Sequence, residues 1–145
     1  MAIGQGDRLP AGELLVRAEN GLQRVDPGAI EGRAAIFAVP GAFTGTCTNA
    51  HMPSFVRTAA QFRDKGVDRV ICVTVNDPSV AAAWAEATGA DRAGIEVLAD
   101  ADGAWTKAMG MSFDAPQFGM WGRSKRYAML VRDGVVEVMQ AEETP

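Results

Sequence analysis

Histidine and cysteine are scarce in this chain: one His, His51, and two Cys, Cys47 and Cys72, among 145 residues. Two thiols cannot build the disulfide framework of a small secreted domain. Two Cys and one His at these spacings also fall short of a zinc set, so no metal is expected. No apolar run is long enough to span a membrane. The start, Met1-Ala2-Ile3-Gly4-Gln5-Gly6-Asp7, lacks the basic and apolar regions of a signal peptide. Excess positive charge is missing too: 14 Lys and Arg against 18 Asp and Glu give a formal net charge of −4, which offers nucleic acid no electrostatic attraction. Gly41 to Gly45 is not followed by Gly-Lys-Ser/Thr, so it is no phosphate cradle. Internal repeats, low-complexity segments and linkers are absent. What remains is a chain long enough for one domain, residues 1–145, with a real core. A reducing, cytoplasmic setting is the simplest fit to two unframed thiols.

The elements can be read in order. Glu13 to Arg17 and Leu22 to Val25 read as strands around an Asn20-Gly21 turn, since both turn residues tolerate positive φ. Ala34 to Val39 shows no polar alternation and reads as a central strand buried on both faces. Met52, Phe55, Val56, Ala59 and Phe62 recur at helical spacing, and Pro53 should kink that helix near its start. Arg69 to Val75 is apolar and β-branched, a second central strand, with Cys72 as a buried, inert core thiol. Asp77 and Pro78 open a helix with Val80, Ala83, Trp84 and Ala87 inside, and Gly89 stops it. Ile95 to Ala99 is a strand. Asp102 is placed to cap a short helix carrying Trp105, Ala108 and Met109. Met111 to Gly122 reads as a loop packed on its own apolar side chains. Lys125 to Arg132 and Val135 to Met139 form a hairpin on Asp133-Gly134. This order predicts an α/β fold with a central mixed sheet flanked by helices.

The chemistry points to the stretch from Pro40 to Pro53. Cys47 falls between an apolar strand and an amphipathic helix, at or near the helix N-terminus. Unpaired N–H groups and the helix dipole there favour a thiolate, which is the nucleophilic form. Thr44 lies one turn earlier, within hydroxyl reach of the sulfur, and Pro40 can shield it from bulk water. His51 invites a Cys–His protease reading. It lies one turn further along the helix, with no third group to orient it, so that reading is not taken.

Pro40-x-x-x-Thr44-x-x-Cys47 resembles the active-site signature of the peroxiredoxins. With His51 and Pro53 the run is similar to the type II, peroxiredoxin-5-like subfamily. The resemblance continues through Val75-Asn76-Asp77, Leu98-Ala99-Asp100 and Arg123-Ser124-Lys125-Arg126-Tyr127, so it covers nearly the whole chain. It implies a thioredoxin-like fold and reduction of hydrogen peroxide and organic hydroperoxides, with Cys47 as peroxidatic nucleophile and no cofactor. Arg126 matches the family's active-site Arg; Arg123 and Lys125 compete, and only the spacing to Tyr127 selects Arg126. Thr44 would hydrogen-bond thiolate and peroxide, and backbone N–H groups at Thr46 and Cys47 would hold the peroxide oxygen. Phe43 and Phe118 are candidates for the substrate-binding side or, with Met120 and Trp121, for a homodimer surface.

The resemblance also implies a helix after the last hairpin. The sequence stops at Glu142-Glu143-Thr144-Pro145, which leaves two expectations open: the helix is absent, or the chain is cut short of it and of any resolving Cys it carries. With no Cys after Cys72, a one-cysteine cycle is expected, with glutathione, a glutaredoxin or thioredoxin as reductant. The competing expectation is a non-enzymatic thioredoxin-fold redox sensor or interaction module, distinguished by the absence of catalytic recycling.

Overall fold

The computed structural model describes residues 2–43 and 52–141. The elements are β1 (Leu14–Ala18), β2 (Gly21–Val25), β3 (Arg33–Val39), α1 (Met52–Asp64), β4 (Arg69–Thr74), α2 (Pro78–Thr88), β5 (Ile95–Ala99), α3 (Ala104–Ala108), β6 (Ser112–Ala115), β7 (Met120–Ser124), β8 (Tyr127–Arg132) and β9 (Val135–Ala141). Among the described residues, seven strands form one sheet in the order β2-β1-β5-β4-β3-β8-β9, and β6 and β7 form a separate pair. β3, β4 and β5 run parallel, while β1 and β8 pair antiparallel at the flanks of this trio. This is the mixed sheet that the order of elements predicts.

The unbroken apolar runs take the central places for the expected reason: both their faces are covered. Alternate residues of one strand serve two cores. Phe37, Val39, Cys72, Val97 and Ala99 face a cluster closed by α1 and α2, with Met52, Ala59, Ala81 and Trp84. Ile36, Ala38, Ile71, Val73 and Leu98 face the other cluster, with Trp105, Met109, Met111 and Tyr127. Phe55 of α1 stacks on Phe37 with ring centroids 3.6 Å apart and planes 4° from parallel. Such a ring pair adds about 0.5–1.5 kcal/mol beyond area burial, which helps seat α1 on β3. Trp84 is fully buried and seats α2 in the same layer.

Five local readings need correction. The first turn is Glu19-Asn20, because Ala18 pairs with Gly21; Gly21, at φ 110, already belongs to β2. The inner face of α2 carries Ala81 and Ala85 beside Trp84 and Val80, while Ala83 and Ala87 are exposed. Alanines all round that helix gave no contrast by which to choose a face. Residues 111–122 are not a plain loop: β6 and β7 pair as Ser112↔Ser124 and Phe113↔Arg123, with an irregularity before Ala115↔Met120. That irregularity breaks the alternation a strand shows in sequence. β8 starts at Tyr127, so Lys125 and Arg126 form a short link between β7 and β8. At α3, Asp102 accepts from the Ala104 N–H, as expected, but buried Asp100 takes the next two, Trp105 N at 3.3 Å and Thr106 N at 2.7 Å. The α1 face is as predicted; Pro53 is the second residue of α1, and the residues before Met52, against which a kink would be read, lie outside the described residues.

Candidate active site

The parallel strands β3, β4 and β5 end together, and open α/β sheets place their sites at such ends. β3 stops at Val39 because Pro40 has no N–H with which to continue the ladder. Pro40, Gly41 and Ala42 are buried; Phe43 then turns outward, 54% exposed. Phe43 sits at φ 61, the left-handed region that costs a non-glycine residue roughly 1–2 kcal/mol. Such strained residues cluster at active sites and ligand clamps.

Two side chains from distant segments hold this turn. The Ala42 N–H donates to Asn76 Oδ1 at 2.8 Å, and the Thr74 hydroxyl donates to the same oxygen at 2.5 Å. Thr74 is fully buried and pairs with Val39 in the β3–β4 ladder, so Asn76 is referenced to the sheet itself. On the other side, Arg123 Nη1 of β7 donates to the Pro40 carbonyl at 3.3 Å. The Thr74 carbonyl accepts from Asp100 N at 2.9 Å, tying the end of β4 to the end of β5.

Arg126 reaches this end through strand register. Ala38 pairs with Tyr127, so one further step of the antiparallel ladder sets Arg126 beside Val39 and Pro40. Arg126 is half-buried; its neighbour Tyr127 is buried in the α3-side core. Burial, then the charge of Asp100, then Cys72, push the Tyr127 phenol well above its ordinary range. Its hydroxyl has no hydrogen-bond partner among the described residues. Phe118 and Trp121 stand on the β6–β7 hairpin, 72% and 63% exposed, with Met120 half-buried between them.

Of the residues singled out in sequence, then, Pro40, Phe43 and Arg126 gather at one end of the sheet, and Phe118 stands on the neighbouring hairpin. Cys47, Thr44 and Thr46 lie outside the described residues, as does His51. Cys72 is fully buried in mid-β4 between Phe37 and Val97, a core thiol as expected. Asn76 carries no local pattern that marks its role: in sequence it stands only beside the capping residue Asp77. Sequence reasoning treated Arg123 only as a rival cation. Among the described residues, no group of His, Cys, Asp and Glu could hold a metal ion, and no helix is long and apolar enough to cross a membrane.

A family model described as Redoxin matches residues 4–145. The chain is 41% identical to Peroxiredoxin-2C of Oryza sativa subsp. japonica, over 97% of this chain and 88% of that one. It is 40% identical to the chloroplastic Peroxiredoxin-2E-2 of the same organism, again over 97% of this chain, but it spans only 65% of that relative's length. Among solved structures, reduced Prx3 in complex with H2O2 from Vibrio vulnificus superposes with a TM-score of 0.91 at 40% identity, covering 98% of this chain and 89% of that one. Peroxiredoxin 5 from Alvinella pompejana gives 0.83 at 30% identity, covering 97% and 90%. A sheet ending in a strained, side-chain-held turn, a matching cation at that end and relatives that match nearly all of this chain lead to one conclusion: the chain belongs to the peroxiredoxins, thiol peroxidases of thioredoxin-like fold.

Proposed function

We propose that this chain reduces hydrogen peroxide and alkyl hydroperoxides with Cys47 as the peroxidatic nucleophile. The observation that carries the reading is the register Ala38↔Tyr127, which brings Arg126 to the end of β3 where the chain turns toward Cys47. The Cys47 thiolate attacks one peroxide oxygen. An S–O bond forms, the O–O bond breaks, and the departing alkoxide or hydroxide takes a proton to leave as alcohol or water. Arg126 stabilises the negative charge that moves onto the leaving oxygen. Thr44 hydrogen-bonds the sulfur and the peroxide, N–H groups at Thr46 and Cys47 hold its oxygen, and Pro40 keeps bulk water off the sulfur. The V. vulnificus relative, solved with H2O2, supports the choice of substrate. Phe43 and Phe118 supply an apolar flank for alkyl peroxides.

The cycle is one-cysteine. Cys72 is fully buried in the core, which supports its exclusion as a resolving thiol. A thiol from glutathione, glutaredoxin or thioredoxin condenses with the sulfenic acid, releasing water and leaving a mixed disulfide. A second thiol then returns Cys47 to its reduced form. Exposed Phe43, Phe118 and Trp121 mark a homodimer face. The setting is a reducing one, taken as cytoplasmic, although related proteins are named as chloroplastic and mitochondrial.

Stopped-flow mixing of reduced protein with hydrogen peroxide, with and without glutathione, tests the reading. Fast thiol loss with recycling is expected in the parent and in Cys72→Ala, and none in Cys47→Ser. Thiol loss without recycling by any of the three reductants would mark a sensor instead. Non-reducing mass spectrometry after one equivalent of peroxide should show an oxygen added at Cys47; a loss of about two hydrogens mapping to Cys47–Cys72 would overturn the one-cysteine cycle. Sedimentation at micromolar concentration should show a dimer.

A further inference from the structure

We propose that Asn76 and Arg123 are positioning residues for the peroxide reaction, together fixing the backbone of the 40–43 turn from which the chain enters the Cys47 segment. The proposal rests on the reading of Cys47 given above and adds what holds the turn that precedes it in the chain.

The turn has left the sheet ladder, so its buried polar groups need other partners. Buried Ala42 presents its N–H to a single carboxamide oxygen, that of Asn76. The same oxygen also accepts from the Thr74 hydroxyl, which fixes the amide's orientation from the sheet side. The Pro40 carbonyl accepts from Arg123. Arg123 is itself anchored: Phe113 pairs with it across the β6–β7 ladder, and Lys125 N donates to the carbonyl of buried Met111 at 2.8 Å. The two holds therefore come from separately packed segments.

The next residue is the left-handed Phe43. A conformation that costs energy locally persists only where its surroundings over-determine it, and these two contacts do so. Cys47 lies four residues on in the sequence. Displacement by an ångström of a group that must meet an O–O bond in line is expensive in rate. Asn76 is also uncharged, so it holds the turn without placing a carboxylate beside a site for an anion.

The test uses the full chain and hydrogen peroxide, with hydrogen exchange followed at the peptide containing the Ala42 amide. Asn76→Ala should speed that exchange and lower the second-order rate with peroxide about tenfold, the scale of one lost buried hydrogen bond. The pH–rate curve, run from roughly pH 5 to 9, should shift its midpoint to higher pH. Because Asn76 has no charge, such a shift reports lost geometry and not a lost cation, and a role confined to stability would not produce it. Asn76→Asp keeps the acceptor oxygen and should keep the Ala42 amide protected. Arg123→Ala, on the half-exposed hairpin, should slow the reaction severalfold and carries the same test if Asn76→Ala does not fold. Parental rate and pH midpoint in folded Asn76→Ala, or failing that in Arg123→Ala, would overturn the proposal while leaving Cys47 intact. A parent protein with no peroxide reaction would overturn both.

Discussion

The two ends of β3 are held by different chemistry. At its start, the backbone is held by carboxylates. Gly32 N donates to Asp133 Oδ1 at 2.7 Å and Arg33 N to Asp68 Oδ2 at 3.0 Å, while the Arg33 guanidinium pairs with Glu137 at 3.3 Å. At its far end, the contacts on the 40–43 turn come from an amide oxygen and a guanidinium. Both sets satisfy backbone groups at the ends of the strand. Only the first brings negative charge to do it. A carboxylate at the far end would oppose a thiolate, whereas at the near end it opposes nothing. The turn that leads on toward Cys47 in the chain is thus held without a carboxylate.

The largest break in that comparison is expected from the cation. Arg126→Ala should slow the peroxide step by about 10²-fold or more, the scale of losing one preorganised donor to developing charge. Second-order rates on folded protein check it, and Arg123→Ala should do much less because it touches a carbonyl and not the reacting atoms. Next comes a swap of chemistry between the ends. Asn76→Asp brings a carboxylate to the site end; the rate near neutral pH should fall about tenfold and recover as pH rises, since the added charge makes the thiol harder to ionise. The reverse swap, Asp68→Asn at the opposite end, should leave the peroxide rate unchanged and cost about 1 kcal/mol of stability, measured by denaturant unfolding. Equal kinetic effects of the two swaps would erase the distinction.

Gly32→Ala sharpens the comparison from the stability side. Gly32 lies at φ 77, and an added Cβ would run into the Asp68 carboxylate. The substitution should cost about 1–2 kcal/mol or more, with no change in the rate of the folded fraction. The smallest effect concerns Tyr127, the only tyrosine, next to Arg126. Its phenol is pushed up by burial first, then by Asp100 and Cys72. The unfolded chain therefore loses this proton near pH 10 while the folded protein keeps it, so stability falls as pH rises above about 10 and is untouched below it. Ultraviolet titration should show no tyrosinate until alkaline unfolding. A tyrosinate forming near pH 10 in folded protein would mean that water reaches past Arg126 into the core.

Much of this was legible in the sequence where one force dominates. The β3 and β4 runs announce buried central strands because everything between their tips is apolar; the tips themselves are half-buried Arg33 and Arg69 and buried Thr74. The α1 face was readable because Phe55, Val56 and Phe62 stand out against polar neighbours. The α2 face was not, since alanine on every side leaves only Trp84 to set the phase. The β6–β7 pair was hidden by its irregular register, and Arg126 was placed one step too early in a strand. The motif around Cys47 was the clearest chemical signal. The clamp was not legible, because Ala42–Asn76 and Pro40–Arg123 are contacts between segments far apart in sequence, and neither Asn76 nor Arg123 carries a local pattern that announces a partner.

The proposed role of the far end of β3 is to favour a Cys47 thiolate for reaction with peroxide. The most direct measurement is the second-order rate of Cys72→Ala protein with hydrogen peroxide as a function of pH, since Cys47 is then the only thiol. The account predicts a rate far above that of a free thiol, reaching its plateau below the ~8.5 at which free cysteine ionises. A rate no faster than a free thiol, or one still climbing through pH ~8.5, would contradict it.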